Sequence, residues 1–306
     1  MNRKVLFTRT ELLIGQAAME ELEKARVILF GLGGVGGWCA EGLIRSGLRH
    51  LTLVDSDGVC ITNVNRQIQA TSVNVGRVKV DELAQRLRSI NPQAEIVTHH
   101  RLYGLETKDS FDIEKYDYVL DAIDSLSDKI GLIMHTLSHS RTLFSSMGAS
   151  SKLDPTRVKI GSIWDSHGCP LARRIRKRLR RHGIKADFKV VYSEEMLVNQ
   201  GESISCGTGN CHCPNWLTLP DGRREQAHEW CSKKAVINGS VVQVTATFGM
   251  FLSSLVVNDV IAKAGPAPLE RGHQQVDPDK RKKRAPMPEG VEGKRDAFFE
   301  AFRTKK

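Results

Sequence analysis

Closely spaced glycines follow a short apolar run, and this arrangement can bring a protein backbone against phosphate. The run covers residues 27–30 (VILF), and Gly31, Gly33, Gly34 and Gly36 come directly after it. Glycine allows the backbone to approach an anion closely, and the free N–H groups at the start of a following helix can bind that anion. The spacing therefore predicts a nucleotide-phosphate site between a buried strand and a helix.

A polar segment after the next apolar run could hold the rest of a nucleotide. Asp55 lies nineteen residues after Gly36, at the end of a predicted strand over residues 51–54, where a carboxylate can accept hydrogen bonds from ribose hydroxyls. The residues beyond it add carboxylate, amide and guanidinium groups, namely Asp57, Asn63, Asn65 and Arg66. The glycine turn alone would suit a dehydrogenase, but hydride transfer requires none of these added groups.

One lysine and one further aspartate complete the candidate site. Lys79 stands thirteen residues after Arg66, near the start of a predicted helix over residues 76–90, and Asp124 follows a predicted strand at 118–120. Arginine and lysine bind phosphate oxygens, whereas a carboxylate suits a Mg²⁺ ion that bridges them. Each residue alone could form a surface ion pair, but together they predict binding of ATP with Mg²⁺.

The elements that must position these residues alternate along the first half of the chain. Predicted helices cover residues 11–24, 35–46, 76–90 and 129–138, and predicted strands are centred on residues 27–30, 51–54, 96–97, 118–120 and 142–145. Strands that alternate with helices indicate βαβ units and a mostly parallel sheet. We therefore predict an α/β fold with a Rossmann-like, doubly wound sheet.

The pattern changes after residue 148, where we expect a C-terminal α+β extension. We predict one domain over residues 1–265, with a nucleotide-binding half (1–150) and a substrate half (151–265), followed by a flexible basic tail over 266–306. Residues 199–232 are loop-like in composition, and residues 240–263 form a long apolar helix. That helix could span a membrane by length, but its Asn, Asp and Gln residues favour a buried core or dimer helix, so we expect no stable membrane insertion.

Much of the net charge of +10 comes from one short segment. Residues 172–185 carry eight Lys/Arg and no acidic residue, and the tail is basic as well, so the rest of the chain is close to neutral. Such a helix could be a solvated face, but the clustering favours a nucleic-acid partner that neutralises the repulsion. The residues assigned to this interface are Arg173, Arg174, Arg176, Lys177, Arg178, Arg180 and Arg181.

The cysteines predict the compartment better than they predict a site. The chain has seven, an odd number, and its N-terminus lacks the apolar run of a signal peptide, so a reducing cytoplasmic setting is expected. Four of them fall within 26 residues: Cys206, Cys211, Cys213 and Cys231. They could form a tetrahedral zinc site, remain free thiols, or include a sulfur-accepting cysteine, and the sequence leaves these alternatives open.

Taken together, these motifs resemble those of the ThiF/MoeB family, the bacterial relatives of ubiquitin-activating enzymes. The resemblance rests on five motifs: the glycine turn, residues 55–67, Gly76 with Lys79, the Asn91-Pro92 helix stop, and DAIDS at 121–125. It covers about residues 7–150 and, more loosely, 236–262. Within the family the chain is most similar to the tRNA threonylcarbamoyladenosine dehydratases, through residues 62–67, 154–156, 171–181 and 244–249. The chain departs from ThiF and MoeB in lacking their two CxxC pairs.

The resemblance implies an ATP-dependent, homodimeric enzyme that activates a carboxylate by adenylation. It implies that Gly34 touches the phosphates and that Asp55 holds the ribose. The triphosphate would be held by Asn65, Arg66 and Lys79, the Mg²⁺ would lie beside Asp124, and Arg9 would reach into the partner subunit's site. Arg9, Arg66, Lys79 and Asp124 are thus the predicted catalytic residues.

Three functions remain in view at this point. The leading one is ATP-dependent dehydration (cyclisation) of N6-threonylcarbamoyladenosine at position 37 of tRNA through a carboxylate adenylate. The second is adenylation of the C-terminal glycine of a ubiquitin-like sulfur carrier protein, and the third is a non-catalytic, nucleotide-dependent RNA-binding module. A cysteine desulfurase or another sulfur-transfer partner is left open by the cysteines.

Overall fold

The computed structural model describes residues 3–201, 216–226 and 238–265, all within one compact unit, Met1–Ala267. Within these ranges the strands are β1 (Arg26–Phe30), β2 (His50–Asp55), β3 (Glu95–His100), β4 (Tyr118–Asp121), β5 (Thr142–Ser146), β6 (Val158–Ser162), β7 (Lys189–Ser193), β8 (Trp216–Thr218) and β9 (Arg224–Gln226). Seven of them form one sheet in the order β3-β2-β1-β4-β5-β7-β6, parallel except for the antiparallel edge strand β6. The predicted doubly wound α/β fold is confirmed.

Helices cover both faces of this sheet. They are α1 (Arg3–Leu6), α2 (Thr8–Ile14), α3 (Gln16–Lys24), α4 (Gly36–Ser46), α5 (Lys79–Ile90), α6 (Leu126–Ser138), α7 (Pro170–Arg181) and α8 (Val242–Ala264). One core joins α3, α4, α5 and α8 to the sheet, and the other joins α6 and α7 to its opposite face. Burial on both faces explains why residues 27–30 are apolar without alternation.

The strand order places a crevice beside the glycine turn. β1 pairs with β2 on one side and with β4 on the other, so the chain crosses over β1 between β3 and β4. Phe30 is in register with both Val54 and Asp121. In sheets of this kind ligands bind outside the carboxyl ends of the strands where the order reverses. The residues after β1, β2 and β4 therefore meet at one edge.

The long apolar helix α8 packs within the fold. It is the one helix of the described residues that is long and apolar enough to cross a membrane, and half of its most apolar stretch is buried. A Cβ atom added at Gly249 would lie 2.5 Å from the carbonyl oxygen of Val35, and one at Gly42 would lie 2.5 Å from Oγ of Ser253. Glycine is therefore required where α4 and α8 cross, which identifies α8 as a core helix.

Glycines change two of the predicted helices, and a third, predicted over 129–138, begins three residues earlier at Leu126. The predicted helix over 11–24 is wrong as a single element, because Gly15, at φ +83°, separates α2 from α3. The helix predicted from residue 76 begins at Lys79, because Gly76 adopts φ +87° and Val78 forms a bridge to Gly58. The differences at Gly15 and Gly76 arise because both glycines have a positive φ.

The second half of the chain is described only in part. Residues 216–226 of the predicted loop contain the antiparallel pair β8–β9, so that loop is not wholly irregular. The predicted tail over 266–306 lies outside the described residues.

Candidate nucleotide site

The glycine turn is fixed by contacts that exclude any side chain. Gly31 adopts φ +86°, and a Cβ atom there would lie 2.7 Å from the carbonyl oxygen of Ala122. At Gly36 a Cβ atom would lie only 1.8 Å from the carbonyl oxygen of Gly31. The turn is thus folded tightly between β1 and β4, and α4 begins directly at its end. The free N–H groups and the positive dipole end of α4 face an anion placed at such a turn.

Asp55, the last residue of β2, holds the turn in place. Its Oδ2 accepts a hydrogen bond from the backbone N of Leu32 at 2.6 Å, and its Oδ1 accepts one from the backbone N of Asp57 at 2.8 Å. Burial raises the pKa of Asp55, and the charge of Lys79 opposes that rise. Each carboxylate oxygen has two lone pairs, so Asp55 keeps acceptor capacity for a ligand hydroxyl.

Lys79 lies within a cluster of carboxylates. Its Nζ donates to Oδ2 of Asp57 at 2.9 Å. Burial by itself would lower the pKa of Lys79, but the charges of Asp57, Asp55 and, more weakly, Asp124 raise it above its usual value. The structure therefore brings together the predicted residues that follow β2 and β4, and Lys79 is a cation at neutral pH.

Arg66 extends along the glycine turn. Its Nη1 donates to the carbonyl oxygen of Thr62 at 2.7 Å and to Oδ1 of Asn65 at 2.9 Å. Trp38 Nε1 donates to the carbonyl oxygen of Arg66 at 3.0 Å, which ties the segment to α4. A Cβ atom at Gly34 would lie 3.3 Å from Cγ of Arg66. Gly34 and Arg66 are therefore neighbours, as two residues that share a phosphate must be.

The start of α8 closes this side of the site, which the residue pattern alone did not predict. Asn65 Nδ2 donates to the carbonyl oxygen of Ser240 at 3.0 Å. A Cβ atom at Gly34 would also lie 3.2 Å from Cβ of Thr245. Thr245 thus contacts the turn from a position more than 200 residues along the chain.

Asn63, another predicted nucleotide-binding residue, bonds to the backbone of its own turn. It is buried, and its Oδ1 accepts a hydrogen bond from the backbone N of Cys60 at 3.1 Å. This bond stabilises the short turn that carries Asn65 and Arg66.

A buried ion pair beneath the site also went unpredicted. Asp121 Oδ2 lies 2.9 Å from Nζ of Lys129 and accepts from Oγ of Ser145 at 2.6 Å, and both charged side chains are fully buried. Lys129 Nζ also donates to the carbonyl oxygen of Ile123 at 2.9 Å. Because these bonds fix residues 121–123, they set the path of the backbone that leads to Asp124.

Arg9 lies away from the glycine turn of its own chain. It is an exposed residue of α2, and the neighbouring Phe7 contacts the position of Gly47 at the far end of α4. An eleven-residue helix is about 16 Å long, so that end is remote from the turn. A role for Arg9 in the site would require a second copy of the chain.

The basic segment forms α7, an amphipathic helix. Ala172, Ile175 and Leu179 are buried against the sheet. Six of the predicted nucleic-acid residues are exposed on the other face: Arg173, Arg174, Lys177, Arg178, Arg180 and Arg181. Arg176 is half-buried and donates to Oγ of Ser166 at 2.6 Å, and burial lowers its pKa. Six of the seven residues thus remain available to bind phosphate.

The predicted zinc ligands Cys206, Cys211, Cys213 and Cys231 lie outside the described residues. Across 3–201, 216–226 and 238–265, no group of three or more His, Cys, Asp or Glu side chains is arranged to hold a metal ion.

A glycine turn at the reversal point of such a sheet, beside a lysine–carboxylate cluster, is typical of nucleotide-binding α/β enzymes. The ThiF family model matches residues 7–260, and the chain belongs to this family. The predicted resemblance within the family is confirmed as well. The tRNA threonylcarbamoyladenosine dehydratase of Bacillus subtilis (strain 168) is 42% identical over 204 residues, which are 67% of this chain and 80% of that protein.

Two further comparisons extend the match along the chain. The dehydratase of Escherichia coli (strain K12) is 32% identical over 272 residues, covering 84% of this chain and 94% of that protein. The crystal structure of E. coli tRNA N6-threonylcarbamoyladenosine dehydratase, TcdA, in complex with ATP has a TM-score of 0.70 at 30% identity. That match covers 85% of this chain and 96% of the other.

Proposed function

We propose that this protein dehydrates N6-threonylcarbamoyladenosine at position 37 of tRNA, using ATP. The proposal is carried by one observation: a site suited to a nucleoside triphosphate and a helix with six exposed cations belong to one compact unit. Relatives named as this dehydratase match both halves of that unit, since the E. coli protein aligns over 84% of the chain. The first half of the unit binds ATP and activates the carboxylate, and the second half binds the tRNA.

The residues present fit ATP with Mg²⁺. The glycine turn offers backbone N–H groups to the phosphates, and Asp55 has acceptor capacity for the ribose. Arg66 and Lys79 are the cations beside the turn and bind the outer phosphates. Asp124 is exposed just beyond β4, where it would hold Mg²⁺. When bound, the ion neutralises charge on the phosphates to which it is coordinated.

The chemistry follows from the need to make a carboxylate reactive. A carboxylate oxygen of the threonyl group attacks the α-phosphorus of ATP, and pyrophosphate leaves with its bonding electrons. The nitrogen or oxygen of the neighbouring carbamoyl group then attacks the activated carbonyl carbon, the carbamoyl N–H proton is released, and AMP leaves carrying the former carboxylate oxygen. The tRNA thereby loses the elements of one water, the oxygen leaving on AMP and the protons passing to solvent or to the released phosphates. Arg66 and Lys79 stabilise the charge that develops on the leaving pyrophosphate.

We further propose that the protein acts as a homodimer in which Arg9 of one copy completes the site of the other. In support, α2 exposes Leu12 by 81% and Leu13 by 72%, and a second copy would remove these side chains from water. An arginine supplied in trans adds positive charge at the moment that pyrophosphate leaves.

The two other functions have less support. Adenylation of a carrier protein's C-terminal glycine would use the nucleotide site but gives no role to the exposed cations of α7. A non-catalytic RNA-binding module would not need Arg66, Lys79 and Asp124 around one turn. The dehydratase function uses both features.

Mass analysis of tRNA nucleosides from a strain that lacks the gene tests the proposal. We expect the deletion strain to accumulate the open threonylcarbamoyl form and the restored gene to return the dehydrated form. A Lys79→Met copy, expressed at the same level, should fail to restore it. Dehydrated nucleoside at the normal level in the deletion strain would refute the proposal.

A further inference from the structure

A groove at the end of α7 lies apart from the nucleotide site. It has a volume of about 430 Å³ and is lined by Trp164, Arg180, Gly183, Ile184 and Lys185. None of these residues belongs to the strand ends or to the turn that form the nucleotide site. The groove adjoins the same helix that carries the exposed cations.

The aromatic ring in this groove is held in position. Trp164 Nε1 donates to the carbonyl oxygen of Ala186 at 3.2 Å, and its backbone N donates to Oγ of Ser162 at 3.0 Å. The guanidinium carbon of Arg180 lies 5.4 Å from the ring centroid, a cation–π contact. A half-buried tryptophan whose ring and backbone each donate one hydrogen bond offers a stacking surface with little loss of side-chain entropy on binding.

The end of α7 leaves the groove open. Gly183 adopts φ +69°, and a Cβ atom there would have no heavy atom within 4 Å. Ile184 folds back so that its backbone N donates to the carbonyl oxygen of Leu179 at 3.0 Å, and its half-buried side chain adds apolar lining. Arg180 and Lys185 are exposed at the rim. The groove therefore combines an apolar lining with two cations.

We propose that this groove binds one unpaired base of the tRNA, stacked on Trp164, while Arg180 and Lys185 contact the phosphates beside it. An aromatic platform with flanking cations is the combination by which proteins bind single-stranded nucleic acid. The exposed cations of α7 extend from the groove and can follow the adjoining backbone. This inference rests on the proposed function, because it names how the same RNA substrate is held.

The test compares Trp164→Leu with Trp164→Phe, which keeps an aromatic face, and with His182→Ala, an exposed neighbour that does not line the groove. Binding is measured for unmodified tRNA, for single-stranded hexa-adenylate and for a blunt RNA duplex. We expect Trp164→Leu to weaken the tRNA and hexa-adenylate complexes about 5- to 150-fold, the range typical of one stacked base. Trp164→Phe should retain most of the affinity, and duplex binding should be the same in all variants.

A second measurement does not depend on the leucine variant. Hexa-adenylate should quench tryptophan fluorescence in the wild type and not in Trp164→Phe. Arg180→Gln should reduce the salt dependence of hexa-adenylate binding by about 0.7 log units per log unit of salt, the value for one phosphate contact on a single strand. The inference is wrong if both Trp164 variants bind ATP, tRNA and hexa-adenylate as the wild type does, or if the quenching persists in Trp164→Phe.

The outcomes for the groove and for the proposed function are separable. Dehydration of modified tRNA is followed in the same preparations. If the wild type dehydrates the tRNA but RNA binding does not depend on Trp164, the proposed base-binding role of the groove is refuted and the dehydratase function is not. Binding of hexa-adenylate through Trp164 by a protein that leaves modified tRNA unchanged would support the groove and refute the dehydratase function.

Discussion

Nζ of Lys79 lies 2.9 Å from Oδ2 of Asp57, and this ion pair joins the first residue of α5 to the turn after β2. The side chain of Lys79 is 5% exposed, whereas that of Asp57 is 45% exposed. A buried cation is thus presented beside a carboxylate that water can reach. Phosphate oxygens could share or replace this carboxylate as partners of Lys79 without moving the lysine.

Removing the charge of Lys79 should abolish most of the activity. We expect Lys79→Met to lower turnover about 100- to 1000-fold, as loss of one preorganised donor does, because the charge on the leaving pyrophosphate loses its nearest buried cation. Arg77→Met, two residues earlier and at an exposed position, is the matched control and should retain turnover. Single-turnover rates with saturating ATP provide the measurement. Equal rates for Lys79→Met and the control would show that Lys79 has no catalytic role.

Asp124 should govern the metal requirement. Asp124→Asn keeps the shape of the side chain and removes its charge, so the Mg²⁺ concentration for half-maximal turnover should rise at least tenfold, since a carboxylate ligand becomes a neutral one. Asp128→Asn, four residues later in the first turn of α6, should leave the Mg²⁺ dependence unchanged. An unaltered Mg²⁺ titration for Asp124→Asn would show that another group holds the ion.

The crossing of α4 and α8 should tolerate no added carbon. Gly249→Ala places Cβ 2.5 Å from the carbonyl oxygen of Val35 and 2.9 Å from the backbone N of Cys39, so α8 must move. We expect a loss of about 1–3 kcal/mol in the free energy of unfolding, measured by denaturant titration. ATP should also bind more weakly, because Val35 directly precedes α4. Gly104→Ala, where no heavy atom lies within 4 Å, is the control and should be neutral.

The exposed face of α7 should bind tRNA phosphates. Arg174→Glu with Arg178→Glu, one turn apart on the exposed face, should weaken tRNA binding and flatten the salt dependence of the affinity. The expected decrease in slope is about 1.4–1.8 log units per log unit of salt for two lost contacts. Lys24→Glu with Lys115→Glu makes the same change in net charge elsewhere and should have a smaller effect. Identical salt slopes for the two double variants would show that α7 does not contact the tRNA phosphates.

Local sequence was sufficient to predict the turn and the fold around it. The apolar run 27–30, the glycines that follow and Asp55 lie close together in sequence, and the physics that fixes them is local. The ion pair of Asp121 with Lys129 was not predictable in this way. Ser145, which donates a hydrogen bond to Asp121, is brought there by the pairing of β4 with β5.

Other parts of the site depend on contacts that are distant in sequence. Thr245 meets Gly34 only because α8 packs across α4, and no spacing in the sequence encodes that contact. The break at Gly15 escaped prediction for a different reason. A glycine inside a helical pattern costs only about 1 kcal/mol relative to alanine, so the pattern alone does not reveal where the helix ends.

The fate of the carboxylate oxygen tests the central claim most directly. Purified protein is given ATP and tRNA whose threonylcarbamoyl carboxylate carries the heavy oxygen isotope in both positions, and the nucleotide products are analysed by mass spectrometry. Activation through a carboxylate adenylate predicts AMP and pyrophosphate in amounts equal to the dehydrated nucleoside, with one heavy oxygen in each AMP. Formation of ADP and phosphate, or AMP without the label, would contradict it.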